Sequence, residues 1–117
     1  MITAAETQER MNEDPRWWKI PLMDFVDDFR YHKDPAAIEK PFVPAEEQRD
    51  AAFSAVIETL CDELKLPIPR WLGGIPSARE PYFVSGIENL KATALVESPI
   101  RFRIRNVFVM ENFLSRV

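Results

Sequence analysis

The most distinctive spacing of chemically active side chains lies near the C-terminal end of the chain. In Arg101-Phe102-Arg103-Ile104-Arg105-Asn106, arginine recurs at every second position. On a strand that period lines three guanidinium groups along one face at roughly 7 Å intervals, near the spacing of successive phosphates or of a carboxylate row. Such a row, with Phe102 behind it, grips an acidic protein surface or a nucleic acid. Two facts weigh the other way. The chain's own first half offers acidic partners for these arginines, and its net charge of −4 is unlike the basic balance of nucleic-acid binders. Trp17 and Trp18 stand side by side outside the best apolar stripes. Tryptophan is a frequent interface anchor, although burial in the core accounts for the pair as readily. The candidate partner-binding residues are therefore Arg101, Phe102, Arg103 and Arg105, with Trp17 and Trp18 as a second surface.

Other chemically capable residues carry less. His32 is the sole imidazole and closes a helix, where a cation is favoured near the C-terminal end without any catalytic role. Cys61 falls within an apolar stripe, where a free cysteine behaves as a small hydrophobe, and no cationic neighbour is evident to activate it. Asp24, Asp27 and Asp28 share a helical face but lack the loop ligands and D-x-D-x-D-G pattern of a calcium site, so a solvated face explains them. Leu72-Gly73-Gly74-Ile75-Pro76-Ser77 lacks the spacing of a phosphate-cradling loop. Ser77-Ala78-Arg79-Glu80 fits a capping box, with Pro81 making a plain turn an equal alternative. No active site assembles from these residues. The chain is expected not to be an enzyme and to need neither metal nor cofactor.

The elements that must position the candidates follow from periodicity. Residues 1–16 are polar with no sustained period, which predicts a flexible N-terminal arm or one loosely formed helix. Leu22, Phe25, Val26 and Phe29 fall at i, i+3, i+4 and i+7 and predict a helix that stops before Pro35. Residues 34–44 hold three prolines and read as a linker or an extended crossing. The strongest helix is predicted over Ala45–Leu66. Phe53, Val56, Ile57, Leu60, Cys61 and Leu64 give it one continuous stripe, and Pro67 ends it.

Residues 67–81, with four prolines and the Gly73-Gly74 pair, are expected to be irregular, with Trp71 and Leu72 folded back onto the core as a plug. A third helix is expected at about Tyr82–Glu97, with Phe83, Ile87, Leu90 and Ala94 on one face and Gly86 marking close packing. The segment 98–117 is ambiguous. The arginine alternation is strand-like, Val107–Met110 breaks it with four apolar residues in a row, and Glu111–Val117 fits a short final helix. A strand here finds no partner in the chain. It would pair across a homodimer through residues 100–110 or with another protein, and helical or extended packing against the bundle is the favoured alternative.

At 117 residues, 46% apolar and 11% aromatic, the chain suits one domain with a real core. One cysteine excludes an internal disulfide, no apolar run approaches membrane-spanning length, and the first sixteen residues lack the regions of a secretory signal. The expected location is the cytoplasm, away from membranes. Charge is uneven: residues 1–66 carry 15 acidic and 8 basic side chains, and residues 67–117 carry 4 and 7.

The run Glu97-Ser98-Pro99-Ile100-Arg101-Phe102-Arg103-Ile104-Arg105-Asn106-Val107-Phe108-Val109, ending Phe113-Leu114-Ser115-Arg116-Val117, resembles the C-terminal signature of a family of short uncharacterised bacterial proteins. Leu66-Pro67-Ile68-Pro69-Arg70-Trp71-Leu72 and Glu80-Pro81-Tyr82-Phe83 fit the same pattern, which spans residues 66–117. The resemblance implies the small, antitoxin-like partner of a two-gene module, and no catalytic residue travels with it. The combined expectation is a mainly α, single-domain helical bundle over residues 17–117, with an irregular Pro/Gly-rich segment and an extended or strand-like C-terminal segment. Its expected role is protein–protein interaction, with nucleic-acid binding through the arginine row as the alternative.

Overall fold

A computed structural model describes residues 1–86 and 88–115, and the protein is mainly helical. Helix α1 spans Ala4–Glu13, and Thr3 caps it by accepting the Glu6 N–H at 3.2 Å. Its buried positions are Ala4, Thr7, Gln8 and Met11, a true helical stripe of mostly small or polar side chains. Of the two expectations for the start of the chain, a flexible arm or one loosely formed helix, the helix is the one found, and it is not loose, since Ala4 and Met11 pack into the core. Asp28 also accepts the Ile2 N–H at 2.7 Å, fastening the start of the chain to the second helix.

Helix α2, Lys19–His32, buries Leu22, Phe25, Val26 and Phe29 as the periodicity predicts. Lys33 then takes a left-handed conformation and donates its N–H to the Phe29 carbonyl at 2.8 Å, which stops the helix ahead of Pro35. Helix α3, Glu47–Leu64, is the central element, buried almost all round from Asp50 to Ile57. Glu46 caps it through the Gln48 and Arg49 N–H groups, and Lys65 closes it in the left-handed region. Asp50, itself buried, accepts from the Ala45 and Glu46 N–H groups and from the Gln8 amide, so one carboxylate joins α1 to the head of α3. The aromatic core runs from Phe29 through Phe25 and Phe53 to Phe42 and Trp71, with ring centroids 5.3 to 5.6 Å apart.

The Pro/Gly-rich segment holds a 3-10 turn, Arg70–Gly74, that drives Leu72 into the core with Trp71 packed behind it, as expected. The third predicted helix is corrected. Tyr82–Phe83 is a short strand, β1, and Gly86 turns the chain at φ +68°. After a 3-10 turn at Glu88–Leu90, helix α4 covers Lys91–Glu97 alone. Gly86 has open space around it, so it supplies backbone freedom and not close packing. Ala94 faces the core, whereas Ile87 lies outside the described residues.

Helix α5, Ile100–Ile104, takes up most of the arginine row, and Asn106, left-handed at φ +61°, redirects the chain into strand β2, Val107–Phe108. Strands β1 and β2 pair in parallel, Tyr82 opposite Val107 and Phe83 opposite Phe108, with α4 and α5 forming the crossover. The unpaired strand expected from the sequence therefore has an internal partner, and the motive for homodimer pairing through residues 100–110 is gone. Turns occupy Glu111–Leu114 in place of a final helix, and Arg116 and Val117 of the terminal pattern lie outside the described residues. The Cα radius of gyration, 13.3 Å, matches the ~13 Å expected of one packed domain of this length. Among the described residues, no helix is long and apolar enough to cross a membrane.

Candidate interaction surfaces

The arginine row divides once it is wound into a helix. Successive residues turn by about 100°, so positions four apart share a face and the position between them points away. Arg101 and Arg105 accordingly face α3, where Asp62 and Glu58 stand four residues apart in the opposite direction. The Arg101 guanidinium donates to both Asp62 oxygens at 2.8 and 3.1 Å, which holds it firmly protonated and raises its pKa. Arg105 is 5% exposed and donates to Glu58 at 2.6 and 3.3 Å, to the Ile75 carbonyl at 2.8 Å and to the Leu72 carbonyl at 2.7 Å. Arg103 turns back over the α4–α5 junction and donates to the Ser98 and Val96 carbonyls. Phe102 is fully buried, edge-on to Phe113.

The four residues thus do not form one exposed face: Phe102 and Arg105 are buried, Arg101 is half-buried against Asp62, and Arg103 is exposed with its guanidinium turned onto the chain's own carbonyls. Two arginines are docking ties between α5 and the core, one staples a corner, and the phenylalanine is core. Ser98 reinforces the same corner from inside. Its buried hydroxyl accepts the Val109 N–H at 2.8 Å and lies within bonding distance of the Ala94 and Val109 carbonyls.

The tryptophan pair divides as well. Trp18 is 8% exposed and belongs to the core, a correction to its candidate role, while Trp17 is 53% exposed. Trp17 lies on a 3-10 turn at Pro15–Trp17, with the Arg16 guanidinium 5.4 Å from its ring centre. Beside it opens a shallow groove of about 490 Å³ lined by Arg10, Glu13, Asp14, Ile20 and Pro21.

The minor candidates take structural places. His32 lies half-exposed with Nε2 3.4 Å from Asp28, and Arg10 reaches Asp24 at 3.5 Å. Burial, with Asp62 and Glu58 nearby, pushes the Cys61 thiol up to about 11, far from reactive thiolate. Ser77 caps no helix, and its hydroxyl donates to the Ile104 carbonyl at 3.2 Å. Among the described residues, no group of three or more His, Cys, Asp or Glu side chains is placed to hold a metal ion.

Sequence reasoning missed one surface. Of the nine large apolar side chains that stand exposed among the described residues, Leu95, Val96, Ile100 and Ile104 gather within ten positions at the α4–α5 corner. Ile100 and Ile104 are 64% and 62% exposed, one turn apart on α5, on the side that the α3-facing arginines leave open. The signal was present in the sequence: once Arg101 and Arg105 are assigned to one helical face, the isoleucines have to share another. No protein-family model matches the chain, and no curated protein or solved structure shows significant similarity to it.

Proposed function

We propose that the protein is a small protein–protein interaction module that offers its α4–α5 corner to another protein. The observation supporting this reading is the cluster of Leu95, Val96, Ile100 and Ile104, apolar side chains left outside a chain that buries its other aromatic and aliphatic stripes well. Arg103 and Ser98 also tie the corner's backbone through hydrogen bonds to the Ser98, Val96, Ala94 and Val109 carbonyls, and a surface already held in place loses less entropy on docking. An antitoxin-like or regulatory role toward a neighbouring protein is consistent with this surface and rests on the resemblance of the C-terminal pattern. No observation favours the nucleic-acid alternative, because the arginines it needs are engaged within the chain.

The test compares the wild-type protein with an Ile100→Asp, Ile104→Asp double variant, captured with their binding partners from the native host after nuclease treatment. The reading expects a protein retained by the wild type and lost by the variant, whose helix content and melting temperature stay close to wild type. Equal retention by both sinks it. A dimer in light scattering that the variant dissolves would assign the corner to a second copy of the chain.

A further inference from the structure

A groove of about 700 Å³ lies away from that corner, between the turn Pro35–Ile38 and the segment Pro67–Trp71. Its volume is within the range of ligand-sized sites, roughly 300–1,000 Å³. The two walls are tied together. The Trp71 indole N–H donates to the Ile38 carbonyl at 2.9 Å, and Phe42 braces the indole edge-on from behind at 5.3 Å. Pro35, Pro67 and Pro69 fix the wall backbones, so the groove exists before any ligand arrives. Its floor is apolar, made by Ile38, Ile68 and the face of Trp71, whose N–H is already committed.

The rims carry opposite charges. On one side are Asp34, which caps the turn through the Ala36 N–H, and Glu39, whose carboxylate makes no ion pair among the described residues. On the other side is Arg70. Among the described residues, every other arginine makes an ion pair, a hydrogen bond or a ring contact. Arg70 makes none and is exposed at the mouth of the groove. A guanidinium with its donors unused, beside a preformed apolar trough, is suited to a carboxylate.

We propose that this groove binds an extended peptide segment of a partner protein: an apolar side chain seats against Trp71 and Ile68, a carboxylate meets Arg70, and a basic group meets Asp34 and Glu39. The proposal rests on the reading of the chain as an interaction module but on different residues from the α4–α5 corner. The carboxylate is a side chain or a chain terminus, sources that peptides with amidated and free C-termini separate.

The probes are short labelled peptides with two leucines between charged ends, lysine and glutamate in one, two lysines or two glutamates in the others, all with amidated C-termini, plus the lysine peptide with a free one. Anisotropy measures their affinity, and the Trp71 indole N–H resonance of the labelled protein locates the site. The mixed-charge peptide is expected to bind about five-fold tighter than either like-charged one, in line with about 1 kcal/mol for an exposed ion pair, and to shift the Trp71 signal. Arg70→Glu, an exposed substitution that leaves the fold intact, is expected to reverse the preference toward the two-lysine peptide. A stronger gain from the free C-terminus than from the glutamate assigns the carboxylate to a chain end. Absence of binding, an unmoved Trp71 signal, or affinities unaltered by Arg70→Glu overturns the proposal. Repeating the titration with the Ile100→Asp, Ile104→Asp variant keeps the two surfaces apart, because groove binding is expected to be unchanged there.

Discussion

Arg105 donates to Glu58 at 2.6 Å in a site where both side chains are withdrawn from solvent, 6% and 14% exposed, and its remaining donors reach the Leu72 and Ile75 carbonyls. One guanidinium thereby joins α5, α3 and the Pro/Gly-rich segment. The neighbouring pair, Arg101 with Asp62, has similar lengths but is 33% and 48% exposed. Solvent screening separates the two pairs energetically: breaking a buried pair costs about 3–5 kcal/mol, whereas an exposed one contributes roughly 0–1 kcal/mol. Arg105→Ala is therefore expected to lose several kcal/mol in urea denaturation, and Arg101→Ala less than about 1 kcal/mol. Equal losses would refute the division into a central tie and a peripheral one.

The tryptophans separate in the same way. Trp18→Ala removes a core side chain, with an expected cost of about 3–5 kcal/mol. Trp17→Ala, at an exposed position, is expected to stay within about 0.5 kcal/mol of wild type. Thermal melts of the two variants decide it, and a large loss at Trp17 would place that ring in the core.

Helix α1 makes a third contrast. Met11→Ala is expected to cost about 2–5 kcal/mol, because Met11 is 1% exposed beneath the first helix. A chain lacking residues 1–14 is expected to melt well below the full-length protein, since it loses Met11 and exposes the surface that α1 covers. An unchanged melting temperature would restore the flexible arm.

Those contrasts mark where the sequence was readable. Helices α2 and α3 announce themselves because Leu22, Phe25, Phe29 and the Phe53–Cys61 stripe are strongly apolar at helical spacing. Helix α1 does not, since its buried face is Ala4, Thr7, Gln8 and Met11; the clue was Thr3 and Glu6, a capping box three residues apart. The arginine alternation misleads for a different reason. A period of two and a helical period agree on Arg101 and Arg105 and differ only over Arg103, so six residues cannot choose between strand and helix. What decides is α3, which offers Glu58 and Asp62 at matching spacing. The pairing of β1 with β2 was illegible because two-residue strands carry no pattern.

Two lysines hold backbone conformations that side chains resist. Lys33 and Lys65 sit at φ +54° and +58° at the ends of α2 and α3, positions where glycine is the usual helix terminator. Lys33→Gly and Lys65→Gly are each expected to raise stability by up to about 1 kcal/mol, since a left-handed residue with a Cβ costs roughly 1–2 kcal/mol and glycine's freedom in the unfolded chain returns part of the gain. A loss of stability in either variant would show that the lysine side chain makes a contribution larger than the strain.

Alkaline pH is expected to weaken the fold through Cys61. Burial in α3, with Asp62 and Glu58 adding to it, raises the thiol to about 11, whereas an unfolded chain ionises near 8.5. Below that lower value both states hold the proton and stability is complete. Between about 8.5 and 11 the unfolded state releases a proton that the folded state keeps, so unfolding becomes more favourable as pH rises. Tyr82, also raised by burial, acts in the same direction above its ordinary range. Urea midpoints at pH 7, 9 and 10.5 are expected to record a fall on the order of 2 kcal/mol in the wild type. Cys61→Ala, although less stable at pH 7 from the lost packing, is expected to show a distinctly flatter decline over the same interval. Parallel declines would remove the thiol from the account and leave the tyrosine and the surface charges to explain it.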